Sequence, residues 1–543
     1  MVPKPLVLKR TRLEEFPEYP ELKKNELGEE VIEAETIDLP RWSKCPYDYS
    51  NLSEKYIVDF PDKIRFAQNQ YNQVYQTRYL QLENVIKSKG LATDKHKSHP
   101  FKFLSQIQDG ETAFVIGIIF RKSAKRPSVL VNFDDNEEED GEVQLTVDEN
   151  PDEIVTDADW LELEDAQTQS IRLSNIQLGD FATGMVVGLF GTKVNSNDFK
   201  VSDVIFPGPP IDRSLPPVLD DDSYVVFLSG LSANRENSFD WTLRFRSLRV
   251  ALSRPPFNGK LDRLIICGNL SVDFCDCSKC ASISMDDVKH LGATKDPAKN
   301  QAYITMLDKL SRYFRTTQFD LMPGDEDPTS AMWPQDPIND ALIKDFVFGE
   351  ENEAYMLESQ YEPSESDDEE LYATIGGPVP LRVKAKVNSV PNPYEFETQG
   401  FRFLGSCGEN VHNLRRMSDP KAHNELIMEK LLDLCHICPT APQAPDCYPF
   451  DDKKVDPFII EQLPHVFFVG NQDGAFSYTR QYPGNEKTDG KPVKVQFVGI
   501  PRSKHTMCAY ALNLRTMRLD AINMKHFNVM QKKKLKPKKK VIA

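Results

Sequence analysis

Tyr224-Val225-Val226-Phe227-Leu228-Ser229-Gly230 is an apolar run that stops on a small polar residue and a glycine, and three later stretches repeat the pattern. They are Leu264-Ile265-Ile266-Cys267-Gly268-Asn269, Phe319-Asp320-Leu321-Met322-Pro323-Gly324-Asp325 and Val466-Phe467-Phe468-Val469-Gly470-Asn471. Short apolar runs with little polar alternation are expected as strands buried on both faces, which is the habit of parallel sheets. The Gly and polar residue at each end then deliver loops to one rim of the sheet. That rim is where open α/β folds place their sites.

The four endings resemble the motifs of the calcineurin-like phosphoesterases with the metal ligands gone. In that family the first strand ends Asp-x-His and the second Gly-Asp, the third motif reads Gly-Asn-His and an acid, and the last reads Gly-His-x-His. Here the first is Ser229-Gly230-Leu231, the second Gly268-Asn269, the third Gly324-Asp325-Glu326-Asp327 and the last Gly470-Asn471-Gln472-Asp473. The resemblance marks Ser229, Leu231, Asn269, Asp325, Glu326, Asn471 and Asp473 as degenerate ligand positions, with a carboxylate, Glu326, where the general-acid His would stand. A two-metal site needs Asp, His and Asn side chains around two cations that share a hydroxide. No imidazole stands at a matched position. His465 opens its strand six residues before the ligand position and reads as a packed or rim histidine rather than a ligand. His412 falls near a loop that donates a His in active enzymes, but one imidazole cannot hold two metals. The expectation is a chain with no catalytic residue, no metal and no cofactor.

Length and charge bound the rest. A chain of 543 residues suggests two to four domains. Its longest apolar run, residues 113–120, falls far short of the roughly 20 residues of a membrane span. The opening Met1-Val2-Pro3-Lys4-Pro5 leads into charges and prolines without the apolar core of a signal peptide, so ten scattered Cys are expected in a reducing compartment. Net charge is −17, and residues 529–543 hold seven Lys and no acid, which leaves −24 on residues 1–528. A body that acidic repels phosphate over its average surface. Proteins are therefore the expected partners, with DNA touched only indirectly or weakly and no membrane.

Residues 1–55, Pro-rich and charged, are expected to be mostly disordered, with order beginning near Asp59. Residues 56–100 form a helical segment whose apolar positions Val74, Tyr75, Tyr79, Leu82, Val85 and Ile86 recur at three-and-four spacing, the mark of one buried face. This helix reads as packing rather than as a site. Residues 101–207 turn to short β runs at 112–120, 128–133, 170–173, 184–191 and 199–206, a count that suits a small barrel of OB-fold type. Such barrels bind single strands through aromatics set among cations. Phe114, Phe120, Phe181, Phe190 and Phe199 are available, with Lys122, Lys125 and Arg126, but the acids at 134–140 follow at once. The bland alternative is core phenylalanines and a solvated acidic loop. Residues 208–218, rich in Pro, read as a linker into 219–528, where helical patterns at 242–252, 300–314 and 420–434 alternate with the strands. An acidic insertion at about 350–376 holds Ser364 and Ser366 ahead of acids, a pattern similar to an acid-directed kinase site. The Lys-rich tail, residues 529–543, closes the sequence. The fold class is thus α/β plus β, an OB-fold barrel joined to an inactive phosphoesterase-like sandwich.

Cys275, Cys277 and Cys280, with Cys435, Cys438 and Cys447, offer enough thiolates for a structural zinc, but neither group has a matching knuckle at standard spacing. Free, partly buried thiols are the competing reading.

The order barrel, linker, degenerate sheet resembles the B (small) subunits of the replicative DNA polymerases. The local text is similar to the delta branch: Gly268-Asn269-Leu270, Met322-Pro323-Gly324, Asp327-Pro328-Thr329, Asn392-Pro393-Tyr394, Gly400-Phe401-Arg402-Phe403-Leu404-Gly405, Pro439-Thr440-Ala441-Pro442, Cys447-Tyr448-Pro449-Phe450, Asp456-Pro457-Phe458, Pro464-His465-Val466 and, within the barrel, Asp159-Trp160-Leu161-Glu162-Leu163-Glu164-Asp165. The likeness spans about residues 40–527. It implies a nuclear, non-catalytic scaffold for DNA replication and repair synthesis. Such a scaffold binds the C-terminal region of the polymerase delta catalytic subunit and a third accessory subunit that reaches the sliding clamp. Lys532, Lys533, Lys534, Lys536, Lys538, Lys539 and Lys540 resemble a nuclear localisation signal. Two other readings stay open. One is an active metal-dependent phosphoesterase or nuclease that recruits Asp325, Asp327 and Asp473, and the other is a single-strand-binding OB-fold protein.

Overall fold

The computed structural model describes residues 49–57, 71–92, 99–122, 155–210, 214–233, 238–270, 318–343, 387–449 and 455–524, with positions 303, 304, 306, 307, 310 and 314. Several expectations lie outside the described residues. They are segment 1–48, the run at 128–133 with Lys125, Arg126 and its following acids, Cys275, Cys277 and Cys280, the acidic insertion with Ser364 and Ser366, and the Lys-rich tail.

Order begins earlier than the composition suggested. Tyr49–Asn51 forms strand β1, which pairs antiparallel with residues 396–398, and Ser53 Oγ–H donates to the Glu395 carbonyl at 2.8 Å. Helix α1 (Asn72–Ala92) follows. Its buried stripe is Val74, Arg78, Leu82, Ile86 and Gly90, one i+4 row, joined by Thr77 and Tyr79. Val85, expected inside, is 42% exposed, because one residue of helix turns it about 100° away from Ile86. Gly90 is needed for close approach, since a Cβ there would stand 2.5 Å from the Phe114 ring.

Five strands close a barrel in the order β2-β3-β4-β6-β5: β2 (Thr112–Lys122), β3 (Trp160–Glu164), β4 (Ser170–Ser174), β5 (Val186–Asn195) and β6 (Asp198–Ile205). In β3 and β4, Leu161, Leu163, Ile171 and Leu173 point inward while Glu162 and Arg172 point out, the two-residue period of a strand with one wet face. By contrast β2 is buried from Ala113 to Ile119, because α1 covers its outer face.

Two six-stranded sheets then stack as a sandwich. One runs β10-β9-β8-β7-β16-β17, built from β7 (Tyr224–Leu228), β8 (Leu261–Cys267), β9 (Phe319–Met322), β10 (Val387–Ser389), β16 (Cys508–Asn513) and β17 (Leu519–Asn523). The other runs β1-β11-β12-β13-β15-β14, with β11 (Tyr394–Thr398), β12 (Phe401–Ser406), β13 (Val466–Gln472), β14 (Phe476–Tyr482) and β15 (Val493–Pro501). The four apolar runs therefore do not share one sheet: three are β7, β8 and β9, and the fourth is β13 in the facing sheet. An apolar run reports burial on both faces and says nothing about which strand it pairs with. Within each sheet the runs are parallel to their neighbours β8, β9 or β12, β15, as expected. Phe227 of the first sheet meets Phe468 of the second at 5.3 Å between ring centroids.

Helix α2 (Ser238–Leu252) follows β7, and α3 (Glu409–Met417) and α4 (Asn424–Asp433) follow β12. Tyr303, Met306, Leu307, Leu310 and Phe314, within the helical pattern expected at 300–314, are buried in the core that also holds Trp241 and Phe245. A one-turn helix, α5 (Ser503–Thr506), joins β15 to β16.

A buried ion cluster locks helix, barrel and sandwich together. Arg78 of α1 donates from Nε to Asp456 Oδ2 at 2.9 Å, from Nη1 to the carbonyls of Gly184 (2.9 Å) and Pro439 (2.7 Å), and from Nη2 to that of Ala441 (2.9 Å). His436 Nε2 lies 2.8 Å from the same Asp456 oxygen, and its Nδ1 accepts from the Cys438 N–H at 3.1 Å. The proton of the imidazole therefore sits on Nε2, which donates to Asp456. An arginine this deep is tolerated only because each of its partners is supplied.

Candidate functional site

The rim forms where the chain turns sharply at the strand ends. Gly230, Ser232, Gly268, Asn269, Gly408 and Asn471 all hold positive φ, between 46° and 108°. Glycine, and to a lesser degree asparagine, accept this backbone at low cost. Two glycines are also required by space. A Cβ at Gly470 would stand 2.5 Å from the Cys267 carbonyl and 2.8 Å from Ser229 Oγ, and one at Gly324 would stand 1.9 Å from Asn269 Oδ1. The loops of the two sheets thus touch backbone to backbone.

Most of the polar groups at the seven marked positions are occupied by neighbours. Ser229 Oγ–H donates to the Cys267 carbonyl at 3.0 Å while its oxygen accepts from the Asn471 N–H at 2.7 Å. Asn471 Nδ2 donates to the carbonyls of Cys407 (3.0 Å) and Cys267 (3.4 Å). Asn269 Oδ1 accepts from the Glu326 N–H at 3.4 Å. Leu231 is wholly buried in the apolar core. Asp325 is exposed, and Asp473 turns outward, 80% exposed, to an ion pair with Arg415 at 3.0 Å. The structure therefore gathers Ser229, Asn269, Glu326 and Asn471, with Asp325 exposed beside Glu326, and leaves Leu231 and Asp473 out of the group.

Asp327, one of the carboxylates that an unusual metal site would recruit, accepts three backbone N–H groups instead: Asn269 at 2.8 Å, Leu270 at 2.9 Å and Gly324 at 2.9 Å. Its role is to pin the second loop to the third. Glu326 is half-buried and accepts from Ser232 Oγ–H at 3.4 Å. Burial, with Asp325 beside it, raises its carboxyl above the usual range, against the pull of Arg502, Ser232 and Lys504. Among the described residues, no three His, Cys, Asp or Glu side chains are grouped to hold a metal ion. His412 lies exposed on α3, and His465 is buried with Nδ1 accepting from the Arg402 N–H at 2.8 Å.

Sequence reasoning missed one wall of the rim. The loop after β15 enters it, with the Ser503 N–H donating to the Ser229 carbonyl at 2.6 Å and the Lys504 N–H to that of Gly230 at 3.1 Å. Arg502 packs its stem against Gly230. The available signal was the apolar run Phe497-Val498-Gly499-Ile500, which ends on Pro501-Arg502-Ser503 as the other runs end on Gly and a polar residue. Glu409 was missed as well. It accepts from Trp333 Nε1–H at 2.8 Å, and burial raises its carboxyl, helped by Asp325.

In the barrel, Phe114, Phe181, Phe190 and Phe199 are core residues, with Phe114 and Phe190 stacked at 4.4 Å. Phe120 is half-buried with its edge on Tyr75 of α1. Lys122 pairs with Glu162 at 3.6 Å. Cys435, Cys438 and Cys447 are buried free thiols, and burial pushes them up, Cys435 to about 11 and Cys447 to about 12. Thiols so placed stay protonated.

Comparison with known proteins adds a consistent picture. A family model described as "DNA polymerase delta subunit OB-fold domain" matches residues 70–204, which contain α1 and the barrel. The model of the alpha/epsilon DNA polymerase B subunits matches residues 225–477 in the sandwich. The DNA polymerase delta small subunit of Oryza sativa subsp. japonica is 28% identical over 494 residues, covering 88% of this chain and 97% of that protein. That of Arabidopsis thaliana is 29% identical over 479 residues, covering 87% and 94%. That of Saccharomyces cerevisiae is 26% identical over 405 residues, covering 68% and 70%.

Proposed function

We propose, since the chain belongs to the B-subunit family of the DNA polymerases and to its delta branch, that it is a non-catalytic scaffold subunit of polymerase delta. In this reading the sandwich is a phosphoesterase fold whose site has decayed. The observation that carries it is the rim. Ser229, Asn269 and Asn471 hold neighbouring backbone, Leu231 lies in the core, and Asp327 is taken by three N–H groups. Two cations sharing a hydroxide do not fit that donor set. No hydrolytic step is assigned to the rim.

The scaffold holds the C-terminal region of the catalytic subunit and a third accessory subunit, and through the latter reaches the sliding clamp. It serves DNA replication and repair synthesis in the nucleus. The Lys532 to Lys540 run is its import signal. A chain stopped after Asn528 should lose nuclear accumulation when the other subunits are depleted; unchanged location would remove that role from the lysines.

Hydrolysis is the direct test of the decayed rim. The purified chain, supplied with Mn²⁺, should cleave neither phosphodiesters nor phosphomonoesters. Cleavage that disappears in Asp325→Ala and Asp327→Ala would instead establish an active enzyme.

A further inference from the structure

Alternate side chains of β3 and β4 leave the barrel, and strand pairing sets them side by side on its outer face. Lys122 of β2 stands opposite Trp160, Phe120 opposite Glu162, Glu162 opposite Arg172, Arg172 opposite Asp198 of β6, and Ser174 opposite Lys200. Lys122, Arg172 and Lys200 are exposed, while Phe120 and Trp160 are half-buried. The strands run in the order β2-β3-β4-β6, so Lys122 and Lys200 are three strand spacings apart, about 14 Å along the sheet. Trp160 lies between them.

This ring is held in place. Its Nε1–H donates to Glu162 Oε1 at 2.9 Å, and the Arg172 guanidinium lies over it, 5.6 Å from the ring centre. An open cavity of about 730 Å³ lies there, lined by Trp160, Arg172 and Ser174 and by Asn195, Ser196 and Asn197 of the β5–β6 hairpin. Two nearby acids have cationic partners: Glu162 takes Lys122 at 3.6 Å, and Asp159, in the cavity wall, takes Arg121 at 2.9 Å. Asp198 stands opposite Arg172 and offsets part of its charge, which keeps the attraction for an anion modest. The charge of −24 on residues 1–528 counts for less here than the local cations, because exposed charges more than about 8 Å away are largely screened at physiological salt.

We propose that this face of the barrel binds single-stranded nucleic acid, with one base stacked at Trp160 and the adjoining phosphates met by Lys122, Arg172 and Lys200. Every base has a face to stack, so binding of this kind tolerates any sequence, and the phosphate contacts make it weaken with salt. Phe114, Phe181, Phe190 and Phe199 take no part, since they are core rings. A duplex hides its base faces and fits such a surface poorly. An acidic peptide would meet the same cations but leaves the exposed part of the indole without a stacking partner.

The test is fluorescence anisotropy of labelled oligothymidylate and oligouridylate, each of about 12 nucleotides, with the full chain across a salt series. Single strands should bind, a duplex of the same length more weakly, and the tighter of the two oligonucleotides identifies the polymer as DNA or RNA. Trp160→Ala should weaken single-strand binding about five- to hundredfold, the worth of one stacked base, and Trp160→Phe should recover most of the loss. Lys200→Gln should weaken binding severalfold and flatten the slope of log Kobs against log salt by about 0.7, the share of one phosphate. Lys491→Gln removes the same charge from the sandwich, just before β15, and should leave affinity within about twofold. Should Trp160→Ala melt below the native chain, the comparison of Lys200→Gln with Lys491→Gln decides alone. No binding of either single strand at low salt, unchanged affinity in a folded Trp160→Ala, or equal losses from the two lysine substitutions would each overturn the proposal. Binding of labelled poly-glutamate as tight as that of oligothymidylate would make the face a dock for acidic proteins and overturn it as well.

Discussion

Replacing Arg78 with Met keeps the aliphatic stem and removes the guanidinium that Asp456 and three carbonyls face. Asp456 would then be a buried carboxylate short of its main counter-charge. Such a loss costs on the order of 3–5 kcal/mol, so Arg78→Met should lower the urea midpoint sharply. The same cluster sets a pH dependence. Burial, and Arg78 nearby, lower the His436 imidazole to about 4 from an ordinary 6.5. The unfolded chain therefore takes up a proton below pH 6.5 that the folded chain refuses until about pH 4. The stability this site contributes is complete above pH 6.5 and is lost as pH falls toward 4. Asp456 acts lower still, since His436 and Arg78 hold its carboxyl below the usual range in spite of burial. Urea unfolding at pH 7.5 and pH 5 should show a drop for the native chain that is smaller in His436→Gln; equal drops would place the dependence elsewhere. None of this was legible in the sequence, where Arg78 is not among the apolar positions that mark the buried face of the helix. The role of Asp327 was hidden for the same reason: its three N–H partners come from two loops that meet only in the fold.

At the scale of elements, continuous apolar runs were the legible ones. β7, β8, β9 and β13 announce themselves because both their faces are covered. β3 carries two Glu in five residues, so only its Leu161 and Leu163 alternation marks it as a strand. α3 has nine residues with Val411 and Leu414 as its buried apolar positions, too short for a periodic signal. β1 is three residues long, and its order comes from partners far along the chain. Tyr49 Oη lies 3.0 Å from Tyr394 Oη, accepts from Asn388 Nδ2 at 2.8 Å, and its ring covers the Arg263 guanidinium at 3.9 Å. A chain beginning at Tyr49 should therefore melt with the full-length protein. One beginning at Asp59 uncovers Arg263 and frees an edge of the second sheet, and should melt lower, by roughly 2–4 °C per kcal/mol lost. Equal melting temperatures for both would mean that β1 adds nothing to the sandwich.

For the whole molecule, the barrel and the layered domain could be foreseen, but their arrangement could not. Which apolar run joins which sheet depends on pairing, and pairing leaves no mark in a run that is apolar throughout. The rim was legible in one respect only. The absence of histidine could be read directly, whereas the use of Ser229, Asn269 and Asn471 as fasteners between loops required the fold. With those side chains tying strand ends together, the sandwich is suited to present a fixed surface, and the proposed scaffold role would use such a surface to hold other polymerase subunits. Stable subunit interfaces of this kind bury more than about 1,200 Å² and, being largely apolar, are little screened by salt. The most direct measurement is gel filtration of the full chain mixed with the C-terminal region of the polymerase delta catalytic subunit, in moderate salt and without DNA. A single co-eluting peak that persists on dilution is the expected result, and two separate peaks at every concentration would contradict the scaffold account.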